Sequence, residues 1–152
     1  MSLAAGKPIR NEEETPPLVS AVIVNFNGGE TVLRCVSSLL GIKDPPLEVI
    51  VVDNVSTDGS IELIEEKFGM DKRVKIVRNR ENLGHAEGCN QGAKAARGKY
   101  LLFLDQDVEV GGIKPPNGGN KVTRDALWLR EMLRVMEDDE SVGMTQAKIV
   151  LK

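Results

Sequence analysis

The sequence predicts an α/β fold, with a mostly parallel, Rossmann-like sheet between two layers of helices (a three-layer α/β/α arrangement). Short apolar, β-rich runs alternate with segments whose apolar residues recur at helical spacing, as in right-handed β-α-β units. The run Tyr100–Leu104 is apolar throughout, which is typical of a strand buried on both faces of a parallel sheet. Polar residues directly follow three of the β-rich runs, where such sheets bind ligands.

The first half of the chain supplies two strands and two helices. A β-rich run, Leu18–Asn25, is followed by helical spacing of apolar residues between Val32 and Leu40. Two prolines then break the chain before the second run, Leu47–Asp53. Three residues suit the N-cap of the next helix: Ser56, Asp58 and Ser60.

The second half continues the alternation. A short strand, Val74–Val77, precedes an Ala-rich helix, Gly84–Arg97, which we expect to stop at Gly98. The fourth strand is Tyr100–Leu104. The remaining predicted elements are a loop at Gly111–Asn120, a helix at Asp125–Glu137 and a fifth strand at Val142–Leu151.

Composition argues against nucleic-acid-binding proteins and membrane-spanning proteins. The 152 residues are 41% hydrophobic and carry a net charge of −3, which gives no electrostatic case for nucleic-acid binding. Cys35 and Cys89 lie far apart, without the spacing of metal ligands. No apolar run approaches the roughly 20 residues of a membrane span, and we expect a cytoplasmic protein. Residues 1–17 are polar and Glu-rich, and we expect a flexible N-terminal segment there.

The most informative motif is Asp105-Gln106-Asp107, at the end of the fourth strand. Alternation along a strand predicts that Asp105 and Asp107 point the same way, with Gln106 opposite. Two carboxylates forced together repel unless they share a proton or a cation. A hard divalent ion, Mn²⁺ or Mg²⁺, that already carries diphosphate oxygens would satisfy both.

The first strand-helix turn excludes two kinds of phosphate site. Asn25–Glu30 has adjacent glycines instead of a Gly-x-Gly-x-x-Gly motif, and Glu30 would repel an anion at the helix start. The chain also has no Gly-Lys-Ser/Thr of the Walker type. We therefore expect a bound diphosphate to be neutralised by a cation at Asp105 and Asp107.

Four blocks of sequence resemble the family 2 glycosyltransferases, and most closely the rhamnosyltransferase-like members. They are Val19–Asn27, Glu48–Ser60, Arg78–Gly84 and Gly98–Asp107. The resemblance implies a GT-A fold and inverting, metal-dependent transfer of a sugar from a nucleoside-diphosphate sugar to an acceptor hydroxyl. The donor would be a UDP- or dTDP-sugar, and the acceptor a glycan or a lipid-linked molecule. The full-length protein could then work at the inner face of the membrane.

The resemblance also implies site residues. Asp53 would accept a hydrogen bond from the base, typically from uracil N3–H, while Asp105 would lie near both ribose and metal as part of a DXD motif. Asp107 would coordinate the cation on the diphosphate. The remaining donor-binding residues would be Asn25, Phe26, Asn27, Asn79, Asn82 and Gly84.

The resemblance places no catalytic residue in this chain. It implies that residues 18–152 form the donor-binding part, and that the acceptor part with its general base lies beyond Lys152. We therefore expect the chain alone to be incomplete and inactive.

Other functions stay open. One is a non-catalytic nucleotide-sugar-binding module. Another is a nucleotidyltransferase-like domain, although Asn25–Glu30 contains no basic residue for a triphosphate. A purely structural α/β domain would bind neither nucleotide nor metal. His85 is expected to be solvated or capping, and Asn79 and Asn82 could simply adopt left-handed turns.

Overall fold

The computed structural model describes residues 19–111 and 126–146. The expected N-terminal segment, 1–17, and all but the first residue of the expected loop Gly111–Asn120 lie outside these ranges. The strands are β1 Val19–Asn25, β2 Leu47–Asp53, β3 Val74–Arg78 and β4 Tyr100–Leu104. The helices are α1 Gly29–Leu40, α2 Ser60–Phe68, α3 Gly84–Ala95 and α4 Leu127–Asp138.

The four strands form one parallel sheet in the order β3-β2-β1-β4. Helices α1, α2 and α4 pack on one face, and α3 packs on the other. The α/β prediction with two helical layers is therefore confirmed. From β1 the chain moves outward to β2 and β3, and then returns to the other side of β1 as β4. This reversal opens a crevice beyond the carboxyl ends of β1 and β4.

The core lies around the two central strands. All seven residues of β1 and all seven of β2 are buried, as in the central strands of a parallel sheet that helices cover on both faces. The expected burial of β4 on both faces is wrong. Leu101 and Phe103 are 43% and 50% exposed, because α3 packs mainly over β1 and β2 and leaves this face of β4 only partly covered.

Glycines bring α3 into direct contact with β1. A Cβ atom on Gly88 would lie 2.8 Å from Cγ1 of Val24, and one on Gly92 would overlap Val22. Real Cβ atoms essentially never approach other atoms so closely. The helix backbone therefore rests on the sheet, and this fixes where the start of α3 lies relative to the crevice.

Several element ends differ from the sequence prediction. The N-cap position of α2 is Gly59, with a φ of 81°. The carboxylate of Asp58 accepts from the backbone N–H of Ser60, the first residue of α2, at 3.0 Å and from that of Gly29, the first residue of α1, at 2.7 Å, so it contacts the starts of both helices. Helix α3 stops at Ala95, before the expected Gly98. The predicted fifth strand is absent from residues 142–146, and its remainder lies outside the described ranges. No helix in those ranges is long and apolar enough to cross a membrane.

Candidate functional site

A cleft of about 480 Å³ lies at the carboxyl ends of β1 and β4, where the strand order reverses. It is bounded by the loop after β1, the loop after β4 and the start of α3. Its lining is formed by Val24, Phe26, Asn54, Asn82, Gly84, His85, Asp105, Gln106 and Asp107.

The segment after β4 contributes three consecutive residues to this cleft. Strand β4 ends at Leu104, and the backbone N–H of Val108 donates to the carbonyl of Asp105 at 3.2 Å, which closes a turn. The alternation expected for a strand does not continue into this turn. Gln106 consequently lines the cleft together with Asp105 and Asp107, and the prediction that it would point to the opposite side is wrong.

Helix α1 holds this acidic turn in place from behind. The Cys35 thiol donates to the carbonyl of Asp105 at 3.7 Å, and the N–H of Val110 donates to the Ser38 hydroxyl at 3.0 Å. Burial, followed by the charges of Asp107 and Glu109, raises the pKa of Cys35 to about 12. The thiol therefore stays protonated near neutral pH and remains a hydrogen-bond donor to the turn.

The two aspartates suit a cation that a ligand would share. Asp105 and Asp107 are both exposed, and neither is in an ion pair within residues 19–111 and 126–146. Those residues also contain no group of three or more acidic, His or Cys side chains placed to hold a metal. Two hard oxygen ligands would leave most of the coordination of Mg²⁺ or Mn²⁺ to water and ligand oxygens. The pair therefore fits a cation that binds together with a phosphate-bearing ligand.

Asn25 and Asp53 form a buried network underneath the cleft. They are 0% and 4% exposed, and Asn25 donates to Oδ1 of Asp53 at 3.0 Å. The same amide donates to the Ser56 and Ser60 hydroxyls at 2.9 and 3.0 Å. Asp53 also accepts from the backbone and side chain of Ser56. These contacts join the ends of β1 and β2.

The exposed turns above this network are linked in the same way. The backbone N–H of Asn27 donates to Ser56 Oγ at 3.0 Å, and Asn27 Oδ1 accepts from the N–H of Thr57 at 2.8 Å. Asn27 therefore connects the two turns and is not part of the cleft lining.

A chain of amides positions the start of α3. Asn79 donates to Oδ1 of Asn54 at 2.7 Å, and Asn54 donates to the carbonyl of Gly84 at 3.1 Å. The N–H of Gly84 in turn donates to Oδ1 of Asn82 at 2.9 Å. Gly84 has a φ of 78°, a conformation that favours glycine. Asn79 thus acts on the cleft through Asn54.

His85 enters the lining from the first turn of α3. Its Nε2 lies 3.4 Å from Sγ of Cys89, one helical turn later. Burial, and then the charge of Asp105, raises the pKa of Cys89, so this thiol is not activated. His85 is therefore a cleft wall residue next to a protonated thiol.

The structure thus divides the residues implied by the resemblance into two groups. Those that meet in the cleft are Phe26, Asn82, Gly84, Asp105 and Asp107. Those that lie outside its lining are Asn25, Asn27, Asp53 and Asn79. The candidate site residues of the sequence analysis lacked Val24, Asn54, His85 and Gln106. Two of these could have been predicted from the sequence, because Asn54 directly follows Asp53 and Gln106 lies between Asp105 and Asp107.

Comparison with known proteins identifies relatives of the chain. The family model described as Glycosyl transferase family 2 matches residues 20–112. TuaG of Bacillus subtilis, a glycosyltransferase provisionally assigned to teichuronic acid biosynthesis, is 35% identical over 60% of this chain and 36% of its own length. The poly-beta-1,6-N-acetyl-D-glucosamine synthase of Staphylococcus epidermidis is 30% identical over 70% of this chain and 26% of its own length.

Solved structures share the fold. Residues 1–349 of TarS from S. aureus, in complex with UDP-GlcNAc, superpose with a TM-score of 0.62 at 22% identity, covering 79% of this chain and 31% of that one. The mannosyltransferase PcManGT from Pyrobaculum calidifontis, in complex with GDP-Man and Mn²⁺, superposes with a TM-score of 0.58 at 23% identity, covering 63% and 29%. These neighbours have the GT-A fold. The matched part spans between 26% and 39% of the length of the curated relatives.

Proposed function

Because this chain belongs to glycosyltransferase family 2, we propose that its cleft binds a nucleoside-diphosphate sugar for metal-dependent, inverting transfer to an acceptor hydroxyl. The observation that carries the proposal is the pair of exposed aspartates at the strand-order reversal, without a cationic partner in the described part of the chain. UDP-GlcNAc and GDP-Man in the structural neighbours support this class of donor. The UDP- or dTDP-sugar and the rhamnosyl subtype remain predictions.

The diphosphate would lie at the acidic turn. Asp105 and Asp107 would hold the divalent cation through their carboxylates. When bound, such a cation supplies Lewis-acid stabilisation of the negative charge that develops on the leaving diphosphate. The contacts of the turn with Cys35 and Ser38 keep its backbone in place before any ligand arrives, which lowers the ordering cost of binding.

The nucleoside would lie between Phe26 and the start of α3. Phe26 is 47% exposed within the cleft, and a base that stacks on an aromatic ring removes apolar surface from water. Asn82 and Gly84 lie at the opposite wall. The contact between Asp53 and the base remains a prediction, since Asp53 is 4% exposed and already accepts three hydrogen bonds.

The helix N-terminus of α1 is not available for the phosphates. The carboxylate of Asp58 already accepts from the N–H of Gly29 at 2.7 Å. An anion in that position would meet the negative charge of Asp58. This contact argues against a nucleotidyltransferase that holds phosphates at the first strand-helix turn.

Acceptor activation would come from elsewhere. Asp105 and Asp107 are the only carboxylates that line the described cleft, and both are assigned to the cation. We therefore place the general base and the acceptor site in the part of the relatives that this chain does not match. A glycan or lipid-linked acceptor and a cytoplasmic location, at the inner face of the membrane in the full-length protein, remain predictions.

Isothermal titration calorimetry tests the donor site. UDP, dTDP, GDP and CDP are titrated with Mn²⁺ and, separately, with EDTA. We expect Mn²⁺ to tighten binding of one diphosphate about tenfold or more. Asp107→Asn should abolish this gain. Glu109→Gln removes one charge from a neighbouring position outside the cleft lining and should keep it. Absence of binding to every diphosphate in the presence of Mn²⁺ would refute the proposal.

A further inference from the structure

The side chain of Gln106 pairs with both backbone groups of one residue that is 80 positions away. Its Oε1 accepts from the N–H of Phe26 at 2.9 Å, and its Nε2 donates to the carbonyl of Phe26 at 3.4 Å. This contact crosses from the turn after β4 to the loop after β1. One carboxamide thereby satisfies the two backbone groups of Phe26 together.

Phe26 lies just beyond the regular pairing of its strand. The register of β1 with β4 ends at Ile23 and Leu104, and β1 itself ends at Asn25. The backbone groups of Phe26 therefore have no strand partner on the β4 side. Gln106 takes the place of that missing neighbour, and the direction in which Phe26 leaves the sheet depends on it.

Gly28 shows how closely this loop is held. A Cβ atom at that position would lie 3.0 Å from Oε1 of Gln106 and 3.1 Å from Cβ of Val32, and it would also overlap Oδ1 of Asn25. The φ of Gly28 is −82°, so the need for glycine comes from this close packing and not from its backbone conformation. The loop that carries Phe26 is thus fitted against Gln106.

We propose that Gln106 is a positioning residue that fixes Phe26, through this pair of hydrogen bonds, as the surface on which the nucleoside packs. This proposal rests on the function proposed above. Phe26 and Gln106 both line the cleft, and Phe26 is 47% exposed. Because Phe26 is restrained before the nucleoside binds, less conformational entropy is lost when the complex forms. Gln106 thereby affects the nucleoside, while its neighbours Asp105 and Asp107 affect the diphosphate.

The two roles can be separated by comparing affinities with and without metal. For each diphosphate that the wild type binds, the dissociation constant in EDTA reports the metal-independent contacts. The ratio of the constants in EDTA and in Mn²⁺ reports the cation. Gln106→Met keeps the length of the side chain and removes both hydrogen bonds. We expect it to weaken binding about five- to tenfold in both conditions and to leave the ratio unchanged.

Two further variants sharpen this test. Gln106→Glu keeps an acceptor for the N–H of Phe26 and loses the donor to its carbonyl, but it also adds a negative charge between Asp105 and Asp107. It is therefore compared on the uncharged nucleoside in EDTA, where its affinity should lie between those of the wild type and Gln106→Met. Asp107→Asn should show a different pattern: its constant in EDTA should be unchanged or tighter, because one negative charge beside the diphosphate is gone, and the ratio should be lost. Hydrogen exchange at the Phe26 amide should accelerate in Gln106→Met. Circular dichroism verifies that each variant folds. If Gln106→Met does not fold, the comparison of Gln106→Glu with the wild type tests the proposal.

The outcomes are distinct. A wild type that binds diphosphates, together with a Gln106→Met variant of unchanged affinity, would overturn this proposal and leave the proposed function intact. A loss confined to the Mn²⁺ ratio would assign Gln106 to the cation and would also overturn it. A wild type that binds no diphosphate would overturn both proposals.

Discussion

Among the buried charged residues, Glu48 is the one whose replacement should lower the free energy of unfolding most. Its side chain is 3% exposed at the amino end of the sheet. Oε1 accepts from the Ser20 hydroxyl at 2.6 Å and from the backbone N–H of Arg97 at 2.8 Å. Oε2 accepts from the guanidinium of Arg97 at 2.8 and 2.9 Å. The carboxylate therefore joins β1, β2 and the segment between α3 and β4.

The cost of Glu48→Ala follows from what loses a partner. Ser20 is fully buried, and its hydroxyl and the Arg97 N–H would each lose an acceptor, at about 1–3 kcal/mol apiece. The guanidinium is 70% exposed and can be rehydrated, so its ion pair adds about 1 kcal/mol or less. We expect a loss of about 3 kcal/mol in the free energy of unfolding. For a chain of this size, the melting temperature should fall by roughly 6–12 °C.

Glu48→Gln isolates the charge. The amide oxygen can still accept from Ser20 and from the Arg97 N–H, while the amide nitrogen would face the guanidinium donors. We expect a loss of about 1–2 kcal/mol. Glu66→Gln is the matched control, because Glu66 is an exposed residue of α2 that forms no ion pair with the described residues. It should change the stability by less than about 0.5 kcal/mol.

The pH dependence has a defined sign. Burial alone would raise the pKa of Glu48, but hydrogen bonds from Ser20 and Arg97, and then the charge of Arg97, lower it below its usual 4.5. The wild type therefore gains stability from this group above about pH 4.5 and loses it as pH falls through the folded pKa. The difference between wild type and Glu48→Gln should be constant from pH 6 to pH 8 and shrink towards pH 3.5.

Urea unfolding followed by circular dichroism measures these free energies for the wild type and the three variants. A loss below about 1 kcal/mol for Glu48→Ala would refute the argument, since two buried donors would then have found other acceptors. A difference between wild type and Glu48→Gln that stays the same between pH 7 and pH 3.5 would show that the charge is not responsible.

Two further predictions concern the walls and floor of the cleft. Gly88→Ala would place a Cβ atom 2.8 Å from Cγ1 of Val24, and should destabilise the protein by about 1–3 kcal/mol and weaken diphosphate binding as α3 shifts. Gly143→Ala is the control, because the space around its Cβ position is open, and it should leave both the calorimetric affinity and the melting temperature unchanged. A Gly88→Ala variant with the stability and affinity of the wild type would contradict the packing argument. Asp53→Asn should lower UDP affinity about tenfold, because the amide would present a donor to uracil N3–H, and it should raise CDP affinity relative to UDP. A lower melting temperature with unchanged calorimetric affinity would instead limit Asp53 to its network with Asn25 and Ser56.

Local patterns were sufficient for the central part of the fold. The alternation of β-rich runs, Leu18–Asn25 and Leu47–Asp53, with a helical segment predicts parallel strands, because a β-α-β crossover brings the chain back in the same direction. Helical periodicity predicts α1, and the polar residues after the strands predict the edge at which the cleft lies. The acidic motif at Asp105 and Asp107 was likewise visible, since both residues follow a strand in the sequence itself.

Tertiary structure decided which polar residues reach the cleft. Asn25 and Asp53 end adjacent strands, but hydrogen bonds to one another and to Ser56 hold them beneath the surface. Sequence spacing cannot distinguish these positions from exposed ones. Exposure of Phe103 on β4 was equally hidden, because burial of a strand depends on where a distant helix packs.

The pairing of Gln106 with Phe26 shows the same division most clearly. The sequence by itself determined that strands, helices and an acidic turn would occur in this order, because these follow from periodicity and residue type over short stretches. It did not determine that a glutamine would point into the cleft and bind a backbone 80 residues away. That contact exists only because the sheet order brings the ends of β1 and β4 together.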